Sequence, residues 1–194
     1  MTFEEMAKGS SIYDLDSGTP RWFAVQTRSK SEKFVVRMLH KKGITCYLPL
    51  MKIMRKYSRS KRLVEKPLIN CYVFVYITRE HYLPVLETEN VSGFVKFNRD
   101  LVAIPEEEMA TIRRVSLEED LDVQTIAGQI SSGDHVEIAA GTLTGLKGKV
   151  IKQEGKQQFQ IELASLGMSL LISVNAAFLE KIPRGSSDWM GFQN

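Results

Sequence analysis

The sequence predicts an α+β chain: an N-terminal α/β sandwich, with helices packed on one mostly antiparallel sheet, followed by a small all-β barrel. Three observations carry this expectation. Phe34, Val35, Met38 and Leu39 recur at helical spacing just after a short strand-like run. Cys71–Ile77 is an unbroken apolar run, too rich in aromatic and β-branched residues to be a helix of that length. Beyond Gly133, five short apolar stretches are separated by glycines and polar residues over about 50 positions, a size that suits a closed barrel without exposed sheet edges.

Taken in order, residues 1–20 are mostly polar and net acidic, with Gly9, Ser10, Ser11, Ser17, Gly18 and Pro20, and are expected to form a mobile leader. Trp22–Gln26 reads as a strand. Ser29 with Glu32 three residues later has the spacing of a capping box and opens a helix. On that helix Lys33, Arg37 and Lys41 repeat every four residues, away from the apolar stripe, and Gly43 ends it. Ile44–Leu50 is a second strand, and Met51–Ile69 a long hairpin whose tip, Tyr57–Arg62, is strongly basic. Cys71–Ile77 is expected at the centre of its sheet.

A short helix is expected around His81–Glu87. Phe94–Phe97 and Leu101–Ile104 then flank Asn98, Arg99 and Asp100 as a hairpin. Pro105 followed by Glu106, Glu107 and Glu108 opens the last helix, with carboxylates at the positive end of its dipole. The first domain thus spans 21–115, and 116–132 reads as an acidic linker. The barrel covers 133–182, from Val136–Ile138, Gly148–Lys152, Phe159–Leu163, Ser169–Val174 and Leu179–Ile182, and 183–194 is a loose tail.

Composition narrows the function classes. With 43% apolar, 25% charged and 9% aromatic residues the chain is an ordinary globular one. No apolar run approaches the roughly 20 residues of a membrane span, and the N-terminus lacks the basic and apolar regions of a secretory signal. A cytoplasmic protein without a membrane partner is expected, and its two cysteines, Cys46 and Cys71, are expected as buried thiols. His40, His81 and His135 have no metal-ligand spacing, Gly141–Lys149 departs from a phosphate-binding loop, and no nucleophile elbow occurs. No catalytic residue, metal or cofactor is therefore assigned, and a nuclease or other enzyme is the minority reading. The net charge of +3 conceals segregation: Arg28–Lys66 holds 13 basic and 2 acidic residues, a net of +11, whereas Glu80–Asp122 holds 4 and 11, a net of −7. That polarity fits a face built to meet a polyanion, the alternative being a solvated surface of uneven sign.

Two sets of residues then carry a family resemblance. The run Trp22–Thr27, then Glu32-Lys33, Pro67–Val75 and Val91–Val95 resembles the N-terminal domain of NusG-type transcription elongation factors. Gly133-Asp134-x-Val136 followed by Gly141-x-x-x-Gly145-x-x-Gly148-x-Val150 resembles the KOW motif of the second domain in that family. Asn70-Cys71-Tyr72 stands where the housekeeping form has Pro-Gly-Tyr. The short region between Pro49 and Pro67 and the run Gly145–Gly148 are more similar to the specialised RfaH and UpxY antiterminators.

The resemblance implies a monomeric transcription antitermination and elongation factor acting on bacterial RNA polymerase, of the type that serves capsular polysaccharide operons. It assigns docking on the polymerase clamp helices to Ile69, Tyr72, Phe74 and Phe97, with core filling as the alternative for the aromatic three. His81 matches a polar triplet that meets the gate loop, with Tyr82 and Leu83 departing from it. Arg28, Lys41 and Lys42 match contacts to the non-template DNA strand. Arg37 shares their helix face, while Arg59, Lys61 and Arg62 extend the surface toward upstream DNA or nascent RNA. Glu89 replaces a paralogue's arginine. Leu166 and Met168, in the loop Ser165–Met168, are expected as an exposed anchor for termination factor Rho or a ribosomal protein. The competing reading is a KOW-containing RNA-binding or ribosome-associated protein. Finally, six glycines and many β-branched residues predict that the second domain is a barrel that does not switch fold, hangs on a flexible linker and leaves the docking patch unmasked.

Overall fold

The structure is a computed structural model that describes residue 15 and residues 18–57, 60–97, 100–119, 121–127, 133–153 and 156–182. Residues 1–14, 16 and 17 of the expected leader, the tail from 183, the hairpin tip at 58–59 and the turn at 98–99 lie outside the described residues, while Leu15 is buried in the core that also holds Val35 and Leu39, which corrects the expectation of a mobile leader at that residue.

The N-terminal part is built on a four-stranded antiparallel sheet of order β2-β5-β1-β6, from β1 (Arg21–Thr27), β2 (Thr45–Tyr47), β5 (Tyr72–Ile77) and β6 (Val91–Phe94). β1 and β5 pair from Arg21↔Ile77 to Gln26↔Tyr72. Because side chains alternate along a strand, this register gives the sheet two different apolar faces. Phe23, Val25, Val73, Val75 and Ile77 join one core with Val35 and Leu39 of helix α1 (Glu32–Lys41) and Val85 of the short helix α2 (Tyr82–Leu86). Trp22, Ala24, Tyr72 and Phe74 join the other with Met109, Ile112 and Val115 of helix α3 (Glu106–Leu117). Cys71–Ile77 is central as expected, between β1 and β2.

Gly43 ends α1 at φ +72°, donating its N–H to the His40 carbonyl, a conformation that glycine adopts without steric cost. The expected capping box does not form: the cap residue is Ser31, without a side-chain cap bond, and the buried Glu32 carboxylate instead accepts the Cys71 N–H at 2.8 Å. A long-range demand for a buried acceptor outcompetes the local cap. The basic hairpin is β3 (Leu50–Tyr57) with β4 (Ser60–Pro67), in a register from Leu50↔Pro67 to Tyr57↔Ser60. β7 (Lys96–Phe97) pairs with β8 (Asp100–Leu101), so Asp100 belongs to a strand rather than to the connection.

Among the described residues of the expected linker, most lie in a helix or a strand. α3 runs to Leu117, and β9 (Val123–Ala127) pairs with β13 (Met168–Ile172) from Val123↔Ile172 to Ala127↔Met168. A five-residue strand whose partner lies some forty positions downstream leaves no periodic trace of its own. β10 (Asp134–Ile138), β11 (Lys147–Gln153), β12 (Lys156–Leu163), β13 and β14 (Leu179–Lys181) fall on the five expected stretches and form an antiparallel sheet of order β14-β10-β11-β12-β13-β9. Its edges are β14 and β9, and no pairing among the described residues joins them.

Gly148 faces Val136 in this sheet and sits under β12. A Cβ there would stand 2.3 Å from the Gln160 carbonyl oxygen and 2.7 Å from the Phe159 ring. Gly148→Ala is therefore expected to destabilise the chain by roughly 1–3 kcal/mol, as overpacking does, read as a lower urea midpoint. An unchanged midpoint would contradict this packing.

Candidate functional site

Ile69 lies in the turn between β4 and β5 and is 2% exposed. Tyr72 and Phe74, two apart on β5, point to the face that also carries Trp22 and Ala24. Phe74 is fully buried, and Tyr72 is half-buried, its hydroxyl accepting from Gln26 Nε2 at 3.3 Å. These three form one continuous apolar cluster with α3 and with Val136, Phe159, Leu163 and Leu166 of the C-terminal sheet. The expectation of an unmasked patch and a freely hanging second part is therefore corrected. The two parts meet through α3, whose Glu108 and Arg114 bond to Ser165, Thr142 and Thr144, and their apolar residues join one cluster.

Phe97 has its backbone in β7, and its side chain lies outside the described residues. His81 is not brought to the patch. It ends the turn Arg79–His81 before α2, which packs on the opposite face, and its Nδ1 lies 3.0 Å from Thr78 Oγ1 and 3.8 Å from Glu80 Oε1. Beside it Leu83 is 62% exposed.

The loop expected as a partner anchor is part of the same closure. Ala164–Leu166 is a 3-10 turn ended by Gly167 at φ +60°. Leu166 is 8% exposed and Met168 half-buried, both packed in the shared cluster, which corrects their expected exposure. Polar contacts flank them: the Ser165 N–H donates to Glu108 Oε1 at 3.2 Å, and Arg114 donates to the carbonyl oxygens of Thr142 at 3.2 Å and Thr144 at 2.7 Å. Glu108, expected as a dipole-facing surface carboxylate, turns inward. Desolvation raises its pKa above the ordinary carboxylate value, against the lowering by the N–H and side chain of Ser165 and the N–H of Ala164. Its Oε2 is buried with no hydrogen-bond partner.

The basic residues divide in a way the sequence does not reveal. Arg28, Arg37 and Lys41 are exposed, the last two one helical turn apart, with the Arg37 guanidinium 5.9 Å from the Phe34 ring centre. Lys42 is a structural pin: its Nζ donates to the Pro84 carbonyl at 2.7 Å and to Thr88 Oγ1 at 2.9 Å, tying the end of α1 to the α2 segment. Arg62 is exposed on β4, opposite Arg55 in the hairpin register. Arg59 lies outside the described residues, as does the Lys61 side chain.

Glu32 is a residue that sequence reasoning missed. Cys71, at the position where the resembled family's pattern has glycine, adopts φ +65°, a region unfavourable for a side chain. Glu32 holds its N–H, and its carbonyl accepts the Thr27 N–H at 2.9 Å. The Arg28 N–H in turn donates to the Asn90 carbonyl, so Arg28 stands on a turn pinned from two sides. The available signals were its place at the head of an amphipathic helix and in the Glu32-Lys33 pair of the family resemblance, and neither points to Cys71.

Cys46 and Cys71 are free thiols, and burial pushes the Cys46 thiol up to about 11, so it is unreactive at neutral pH. Among the described residues no group of three or more His, Cys, Asp or Glu could hold a metal ion, and no helix is long and apolar enough to cross a membrane.

Residues 20–113 match the family model described as transcription termination factor nusG. No curated protein matches the chain. Among solved structures, a chain from "Domain interaction in Thermotoga maritima NusG" is 22% identical, with a TM-score of 0.51 over 86% of this chain and 99% of that one. A chain of the MjSpt4:Spt5 complex in conformation A is 20% identical over 83% and 97%, with a TM-score of 0.30. Residues 20–113 thus match the NusG family model, in a chain whose fold is similar to that of Thermotoga maritima NusG.

Proposed function

We propose that this chain is a transcription antitermination and elongation factor that docks the face carrying Ile69, Tyr72 and Phe74 on the clamp helices of bacterial RNA polymerase. The match of residues 20–113 to the NusG family model is the observation that supports this reading. The specialised form, serving operons of the capsular polysaccharide type, rests on the departures at Asn70-Cys71-Tyr72 and Gly145–Gly148. The C-terminal sheet is read as a KOW barrel whose Leu166 and Met168 meet Rho or a ribosomal protein.

Because Ile69 and Leu166 are buried in one cluster, both dockings require the two parts to separate first. The exposed Arg28, Arg37 and Lys41 lie apart from that closure and grip phosphates of the non-template strand in either arrangement.

Ile69→Asp is expected to reduce retention by core polymerase at least about tenfold, as loss of a central apolar anchor does, with helix and strand content preserved by circular dichroism. Unchanged retention contradicts the docking surface. The double variant Arg37→Glu, Lys41→Glu is expected to weaken single-stranded DNA binding and to flatten its salt dependence by about 0.7 per lost phosphate contact. An unaltered slope removes these residues from the nucleic-acid surface. In purified transcription on a candidate leader, the protein is expected to increase read-through past terminators, and equal termination with and without it would sink antitermination.

A further inference from the structure

We propose that Glu108 is the release residue of the contact between the N-terminal part and the C-terminal sheet: closing buries its carboxylate with one oxygen unpaired, and that cost keeps the closed arrangement reversible. The proposal rests on the reading that the covered face works in an opened chain, and it goes beyond that reading by naming what sets the balance.

Three consecutive carboxylates open α3, and their environments differ. Glu106 and Glu107 are exposed, Glu106 pairing with Arg113 on its own helix, whereas Glu108 faces the turn Ala164–Leu166. Its Oε1 accepts the Ser165 N–H, while Oε2 is buried without a partner. The charged groups around this contact do not neutralise it. From the C-terminal sheet, Glu162 of β12 adds a like charge. On α3, Arg114 is committed to the carbonyl oxygens of Thr142 and Thr144.

Closure is thus driven by apolar side chains, Ile69, Met109, Ile112 and Leu166 among them, and opposed at one point by a charge removed from water. An apolar residue at this position would favour a permanently shut chain. A carboxylate leaves the contact metastable while still capping the 164–166 turn.

The sign of the pH effect follows. Burial raises the pKa of Glu108 in the closed chain above its ordinary value of 4.5. Closure is most favourable when the carboxyl is protonated, below the ordinary range, and weakens as pH rises through the raised value. Glu108→Gln keeps an oxygen for the Ser165 N–H and removes the charge.

The test uses the full chain without polymerase, so that a failed release mechanism is separable from a failed docking assignment. The open-to-closed ratio is followed between pH 5 and pH 8 by small-angle scattering and by nuclear relaxation of the two parts. The unsubstituted chain is expected to open as pH rises. Glu108→Gln is expected to lose that dependence and, at pH 8, to show an open-to-closed ratio lower by about tenfold or more, the size expected on removing an unpaired buried charge. The exposed Glu107→Gln serves as control and is expected to behave as the unsubstituted chain. The same pH dependence in Glu108→Gln, an equal or larger open fraction, or an equal effect of Glu107→Gln would overturn the proposal. Should Glu108→Gln fold poorly, the carboxyl carbon shift of Glu108 in the unsubstituted chain decides: a titration midpoint above the ordinary range supports the proposal, and one at or below it overturns it.

Discussion

The structure depends on the pairing of β1 with β5, because these two adjacent strands are apolar on both faces. A sheet of that kind has to be covered twice. On one side α1 and α2 do so with Val35, Leu39 and Val85, joined by Leu15 from before the first strand. On the other side α3 joins a larger cluster that also takes in Val136, Phe159, Leu163 and Leu166 of the C-terminal part. The second part is therefore a component of the first part's core as well as a unit of its own.

This asymmetry sorts the residues of the proposed surfaces. Ile69 and Phe74 are buried in the cluster that also holds residues of the C-terminal sheet, so the docking proposed for them competes with burial. Arg37 and Lys41 are carried by the helix that seals the opposite face, and their charges remain in water whatever the C-terminal sheet does. The proposed phosphate-binding and docking residues are thereby placed on opposite faces of one sheet.

Much of the architecture was legible because it is local. The stripe Phe34, Val35, Met38, Leu39 yields α1, Gly43 its end, and Cys71–Ile77 the central strand, since each signal lies within a dozen residues. The five apolar stretches after Gly133 all become strands. β9 escaped because its partner β13 is remote, and the capping box at Ser29 and Glu32 failed because Glu32 meets Cys71, thirty-nine positions away. At the site, residue types and their grouping were readable, but not their surroundings. Lys42 is spent on Pro84 and Thr88, His81 sits behind the wrong face, and Leu166 is inside.

The sequence by itself determined most of the elements, the segregation of charge and the family resemblance of the N-terminal part, because periodicity, composition and motif spacing are written along the chain. Only the tertiary structure decided which apolar face is shared. Whether Phe74 ends as a docking surface or as core, and whether Glu108 faces water or Ser165, depends on burial between segments far apart in sequence. Burial is a property of the assembled surface, and neither residue's neighbours along the chain carry any trace of it.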